Sequence, residues 1–170
     1  MSSSRKALPL LTMLALAGCG FTPLYGGGKG QATSARLDEV AVQTIPDRTG
    51  QLLRQSLQVK LHAAGAPVTE LYTLKVSYDI AQSAIGVLED TATTRNRFVA
   101  HASWTLAPIG APDKPLVTGE ATAMDADNVI DQQYFAVSLE TETVDRQLAD
   151  EISAQIASQL AVWFRTHPDA

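Results

Sequence analysis

Cysteine is nearly absent from this 170-residue chain, which holds one, Cys19. An internal disulfide and a metal site of several thiolates are therefore both excluded. Histidine is sparse as well: His62, His101 and His167 fall on different segments without metal-ligand spacing. Basic residues number 13 against 18 acidic ones, for a net charge of −5. That balance argues against general nucleic-acid binding, while leaving room for a local basic patch that meets a phosphorylated lipid. A Gly-x-Ser-x-Gly elbow is missing, and the carboxylates form no recognisable acid/base pair, so nothing points to an enzyme. No internal repeat, heptad array or long charge run is present.

Long hydrophobic runs are also lacking. The apolar stretch Ala7 to Ala17 falls short of the roughly 20 residues that a membrane-spanning helix needs. With the charged Arg5 and Lys6 before it and small residues after it, it reads as a secretory signal peptide. Leu16-Ala17-Gly18-Cys19 fits the bacterial lipobox, a branched apolar residue and two small ones before the cysteine; an ordinary secretory signal with a chance cysteine is the alternative. The resemblance to a lipoprotein signal implies cleavage before Cys19, a diacylglycerol on its sulfur and an acyl chain on the new amino group. Several acyl chains on one residue would hold a domain to a membrane, whereas a single chain binds marginally. Gly20 is not the aspartate that retains many lipoproteins in the inner membrane, so the expected location is the periplasmic face of the outer membrane. No cofactor is expected beyond the covalent lipid on Cys19.

The division read from the sequence is a signal peptide over 1–18, a lipidated N-terminus and flexible tether over 19–35, and a single domain over 36–167. Setting Arg5 and Lys6 aside leaves 11 basic residues against the 18 acidic ones. The Gly- and Ser-rich run Gly26 to Ser34 has no periodicity and supports the tether. A phosphate-binding glycine loop is disfavoured, because no strand precedes the run and no Gly-Lys-Ser/Thr follows it.

Within the domain, Arg36 to Ile45 holds a first strand, ended by Pro46-Asp47. A helix follows, capped near Asp47 to Thr49, with Leu53, Leu57, Leu61 and Ala64 at three- or four-residue spacing and Leu52 and Val59 widening the stripe. Gly65 and Pro67 mark its end, and His62 in its last turn suits the helix dipole. Tyr72, Leu74, Val76, Tyr78 and Ile80 alternate with polar residues as a one-sided strand. Ile85 to Asp90 forms a turn region. A third strand from Thr93 to Leu106 turns Phe98, Ala100, Ala102, Trp104 and Leu106 to the core, and Arg95, Arg97, Val99, His101, Ser103 and Thr105 away from it. After the Pro108–Pro115 loop, a fourth strand from Leu116 to Met124 carries Gly119, Ala121 and Ala123 where a helix can lie close. From about Gln133 the period is helical, with Val137, Val144, Leu148, Ile152, Ile156, Leu160 and Phe164 on one stripe, ended by His167-Pro168. The order β-α-β-β-β-α gives an α+β two-layer sandwich: a small, mostly antiparallel four-stranded sheet with two helices on one face. The other face is left open to water or a partner.

Cys19-Gly20-Phe21-Thr22-Pro23-Leu24-Tyr25-Gly26, the same element order, and Thr91-Ala92-Thr93-Thr94-Arg95 entering the third strand resemble the LPS-assembly lipoprotein LptE family in its alphaproteobacterial form. The resemblance implies a partner, the outer-membrane β-barrel LptD, which the family's lipoprotein plugs and helps to assemble for lipopolysaccharide transport to the outer leaflet. A soluble domain on a tether is compatible with a barrel's polar interior. The alternative is an accessory lipoprotein of another envelope transport or peptidoglycan-associated complex. Ile85, Val87 and Leu88 are candidates for contact with the barrel wall or an acyl chain, or else belong to a turn folded back on itself. Lipopolysaccharide carries phosphates, so Arg95 and Arg97, which share a face, are candidate contacts, with Lys75 and Lys114 as additions. Charges that simply guard a strand edge are the other reading.

Overall fold

A computed structural model of the chain describes residues 28–62, 69–87, 93–128 and 134–168. Its elements are α1 (Gly28–Asp38), β1 (Val40–Val42), α2 (Asp47–Leu61), β2 (Tyr72–Val87), β3 (Thr93–Pro108), β4 (Val117–Asn128) and α3 (Tyr134–Thr166). The strands form one four-stranded sheet in the order β1-β2-β3-β4. β1 pairs parallel to β2, as the intervening α2 requires, and the other two pairings are antiparallel. The fold is the expected α+β two-layer sandwich, with a third helix added.

That third helix, α1, covers residues read from sequence as tether. Gly28 and Gly30 are poor helix formers, and the helix is held by packing instead. Thr33, Leu37 and Asp38 are buried, where α1 lies against α3 and α2. Arg36 then fastens its C-terminal end. One guanidinium nitrogen donates to the Tyr72 hydroxyl at 2.7 Å and another to the Pro168 carbonyl at 2.7 Å. The first strand is correspondingly shorter than expected, because Arg36 to Asp38 belong to the helix. After Val42, the Gln43 N–H still donates to the Leu74 carbonyl (3.0 Å), and Ile45 turns into the core.

In α2, Leu53, Leu57 and Leu61 are fully buried as their spacing requires. Val59 does not join them: it is 74% exposed. Two residues on from Leu57, it lies about 200° around the helix, on the opposite face. Ala64, Gly65, Pro67 and the Leu88–Asp90 part of the expected turn lie outside the described residues. The helix begins without a side-chain cap: Pro46 occupies the cap position, and Asp47 adopts a left-handed φ of 66°. Gly50 is required in the first turn, since a Cβ there would stand 2.7 Å from Ile45 Cγ2. His62 closes the C-terminus through its backbone N–H to the Gln58 carbonyl at 3.0 Å.

β2 extends to Val87, so Ile85 and Val87 belong to a strand rather than to a turn, with register irregularities around Gly86. α3 spans 33 residues, about 50 Å at 1.5 Å per residue. Val144, Leu148, Ile152, Ile156, Leu160 and Phe164 form its buried stripe, beside a column of small residues, Ala149, Ser153, Ala157 and Ala161. Small residues face them from the sheet. A Cβ on Gly119 would come within 2.6 Å of Trp104 Cε2 and 2.8 Å of Gln159 Oε1. Lys60 Nζ, 2.6 Å from Asp150 Oδ1, links α2 to α3.

Candidate functional site

The helices leave one sheet face uncovered, and the strand register orders its side chains into rows. Lys75, Thr105 and Thr118 form the first row, then Ser77, Ser103 and Glu120, then Asp79, His101 and Thr122. Beyond these come Ala81, Val99 and Met124, then Ser83, Arg97 and Ala126. Arg95, level with Gly86 and Asn128, closes the series. The face is thus divided: polar and acidic in the middle, a thin apolar strip next, and two arginines at the far end.

Arg95 and Arg97 are both exposed, because period two sends both to the solvent side of β3. Among the described residues, neither guanidinium forms an ion pair. The nearby acidic residues of β4, Asp125 and Asp127, alternate to the opposite face. Next to the pair, Met124 is 66% exposed, an unusual position for so large an apolar side chain on a solvated sheet. Met124 and Val99 offer an aliphatic surface beside two cations. The sequence alternation already turns Val99 outward on the third strand and leaves Met124 off the Gly119-Ala121-Ala123 face of the fourth; only the β3–β4 register brings the two side by side.

The lysines do not join the arginines. Lys75 lies level with Thr105, eight residues along β3 from Arg97, which is about 26 Å in an extended strand. Lys114 sits in the loop at that same remote end. The four basic candidates are two separate groups, with Asp79 and Glu120 between them. Ile85 and Val87 sit at the arginine end, where Gly86 pairs with Arg95 and Val87 with Thr93. Leu88 and Cys19 lie outside the described residues.

Between the two groups, Ser77, Asp79, His101, Ser103, Glu120 and Thr122 line a shallow depression of about 240 Å³. His101 Nδ1 is 3.4 Å from Thr122 Oγ1. Among the described residues no group of three or more His, Cys, Asp or Glu side chains is placed to hold a metal ion. The other histidines are remote: His62 ends α2 and His167 stacks on Trp163 beyond α3.

On the helical side, Arg48 of α2 stands 3.1 Å from Glu142 of α3, and Arg146 meets the same carboxylate. Burial raises the Asp145 carboxyl above its ordinary value, against the attraction of Arg48. Tyr78 is pushed up to about 12, chiefly by burial and then by Asp145 and Asp79. Its buried hydroxyl has no hydrogen-bond partner among the described residues. Both groups lie under the sheet, away from the arginines.

No helix among the described residues is long and apolar enough to cross a membrane. No protein-family model matches the chain, and no curated protein does. Solved structures do. A candidate lipoprotein from Caulobacter crescentus CB15 superposes with a TM-score of 0.61 at 22% identity, covering 80% of this chain and 97% of that one. A minor lipoprotein from Acinetobacter baumannii gives 0.56 at 16% identity, over 72% and 90% of the two chains. The uncharacterized lipoprotein B from Nitrosomonas europaea gives 0.55 at 12% identity, over 73% and 81%. At these identities the likeness concerns the fold: this chain has the fold of solved bacterial lipoproteins.

Proposed function

We propose that the protein is a lipid-anchored lipoprotein of the LptE type, held at the periplasmic face of the outer membrane through Cys19. In this reading it plugs an LptD-like β-barrel, assists the barrel's assembly, and contacts lipopolysaccharide during transport to the outer leaflet. The observation that carries the reading is the uncovered sheet face, with Arg95 and Arg97 beside the Val99–Met124 strip. Guanidinium groups bind phosphate oxygens in a bidentate fashion, and an aliphatic strip alongside suits an acyl chain. Together they match an anionic amphiphile better than either would alone. The shared lipoprotein fold and the lipobox at Leu16 to Cys19 support the anchoring part of the proposal.

The test is affinity purification of the full chain from detergent-solubilised outer membranes, followed by identification of bound protein and lipid. A large β-barrel protein and lipopolysaccharide are expected. Recovery of a different envelope complex, with no barrel, would replace this reading by that of an accessory lipoprotein.

A further inference from the structure

The edge of a sheet offers unpaired N–H and C=O groups to any extended chain, and on β4 the protein closes that edge only in part. Gln159 Nε2 donates to the Glu120 carbonyl at 2.9 Å. Gln155 takes both groups of Thr122, donating from Nε2 to its carbonyl (3.0 Å) and accepting its N–H at Oε1 (3.3 Å). Two residues further on, the strand period turns the amide and carbonyl of Met124 to the same outer edge. The glutamine cover has stopped by then. The next outward amide, that of Ala126, is closed locally by Asp125 Oδ1 at 2.8 Å.

Where the cover stops, α3 and β4 part around a groove of about 460 Å³. Ala123, Met124 and Asp125 line one wall, and Gln147, Leu148 and Glu151 the other. Ala123 and Leu148 are buried and form an apolar floor. The charged groups on its rim are carboxylates, Asp125 and Glu151, and neither belongs to an ion pair among the described residues. We propose that this groove receives an extended, basic segment of another polypeptide, which pairs with the open edge of β4 at Met124. Main-chain bonds to Met124 would hold the segment. Its side chains would alternate, so lysines or arginines at every second position would face Asp125 and Glu151. Charge also decides against a second copy of this chain. β4 carries Glu120, Asp125 and Asp127 and no basic residue, so a second copy of it would bring nothing to pair with Asp125 and Glu151 and would add like charge. The proposal does not depend on the lipid anchor or on the arginines; it uses the main chain of Met124, whose side chain belongs to the strip on the open face.

The full chain is titrated with two labelled synthetic peptides, one of alternating lysine and valine, the other of alternating glutamate and valine. Fluorescence anisotropy gives affinity, and hydrogen exchange locates the contact. The lysine peptide is expected to bind and to slow exchange at Met124, while the glutamate peptide does not bind. Met124→Pro, which removes the amide at an edge position, is expected to abolish that binding. Asp125→Asn with Glu151→Gln, two surface changes that leave the backbone intact, is expected to weaken it roughly tenfold. The double variant decides the matter if Met124→Pro does not fold. Equal binding of both peptides, protection at β2 instead of Met124, or unchanged affinity in the double variant would overturn the proposal. So would protection of Met124 that grows with protein concentration alone, which would indicate self-pairing.

Discussion

Gln155 of α3 is bonded to Thr122 of β4 through both ends of its side-chain amide, Nε2 to the carbonyl and Oε1 from the N–H. A helix side chain thereby stands where a neighbouring strand would pair. One turn later Gln159 joins the Trp104 indole N–H (3.0 Å to Oε1) to the Glu120 carbonyl (2.9 Å from Nε2). The edge strand, the core tryptophan and the long helix are thus linked by two amides.

Gln155→Ala removes two of these bonds at a solvent-accessible edge. A loss of about 1–2 kcal/mol of unfolding free energy is expected, with faster hydrogen exchange at Thr122 and no change at the β2–β3 ladder. Denaturant titration and exchange mass spectrometry check both. An unchanged Thr122 rate would show that the amide does not protect the edge.

Gly119→Ala tests how closely α3 lies on the sheet. The added methyl would meet Trp104 and Gln159, so overpacking is expected to cost about 1–3 kcal/mol and to alter tryptophan fluorescence. Wild-type stability and emission in the variant would mean that the indole has room to move.

The two faces of α2 predict a contrast between neighbours. Leu57→Ala creates a cavity in the core and is expected to cost about 2–5 kcal/mol. Val59→Ala, on the exposed face, is expected to stay within about 0.5 kcal/mol of wild type. Paired urea melts measure the difference, and equal losses would contradict the helix orientation.

Two raised titrations set the pH response. Tyr78 moves from 10.0 to about 12, so its contribution to stability is fully present below pH 10 and is lost as pH rises towards 12. Tyr78→Phe is expected to flatten that alkaline loss. Asp145 is also raised, from 3.8. Its contribution is complete below pH 3.8 and is lost as pH rises through the folded value, which leaves a carboxylate that burial disfavours at neutral pH. Asp145→Asn is expected to raise the melting temperature at pH 7, with the gain vanishing in acid. A variant less stable than wild type at pH 7 would show that the attraction of Arg48 outweighs burial.

Charge reversal of Arg95 and Arg97 to glutamate addresses the proposed lipid contact. Lipopolysaccharide binding is expected to weaken while the melting temperature stays put, because both side chains are exposed. Reversal of Lys75, about 26 Å away along the strand, is the comparison, and is expected to have a much smaller effect. Equal losses from both would point to a diffuse charge effect.

Periodicity alone determined the two-layer architecture, the core face of β3 and the stripe of α3, because alternation and 3.6-residue spacing are local properties of the chain. The same alternation placed Arg95 and Arg97 together on the open face. Tertiary structure decided the rest. α1 forms in a glycine-rich stretch of poor intrinsic propensity because Leu37 is buried and Arg36 reaches both Tyr72 and Pro168, residues 36 and 132 positions away. Val59 needs no tertiary contact to explain it: its two-residue offset from Leu57 by itself sets it on the opposite face of α2. The parting of the lysines from the arginines, and the reach of Gln155 to Thr122, follow from strand register and helix docking. Those depend on contacts between distant segments, which no local window of the sequence contains.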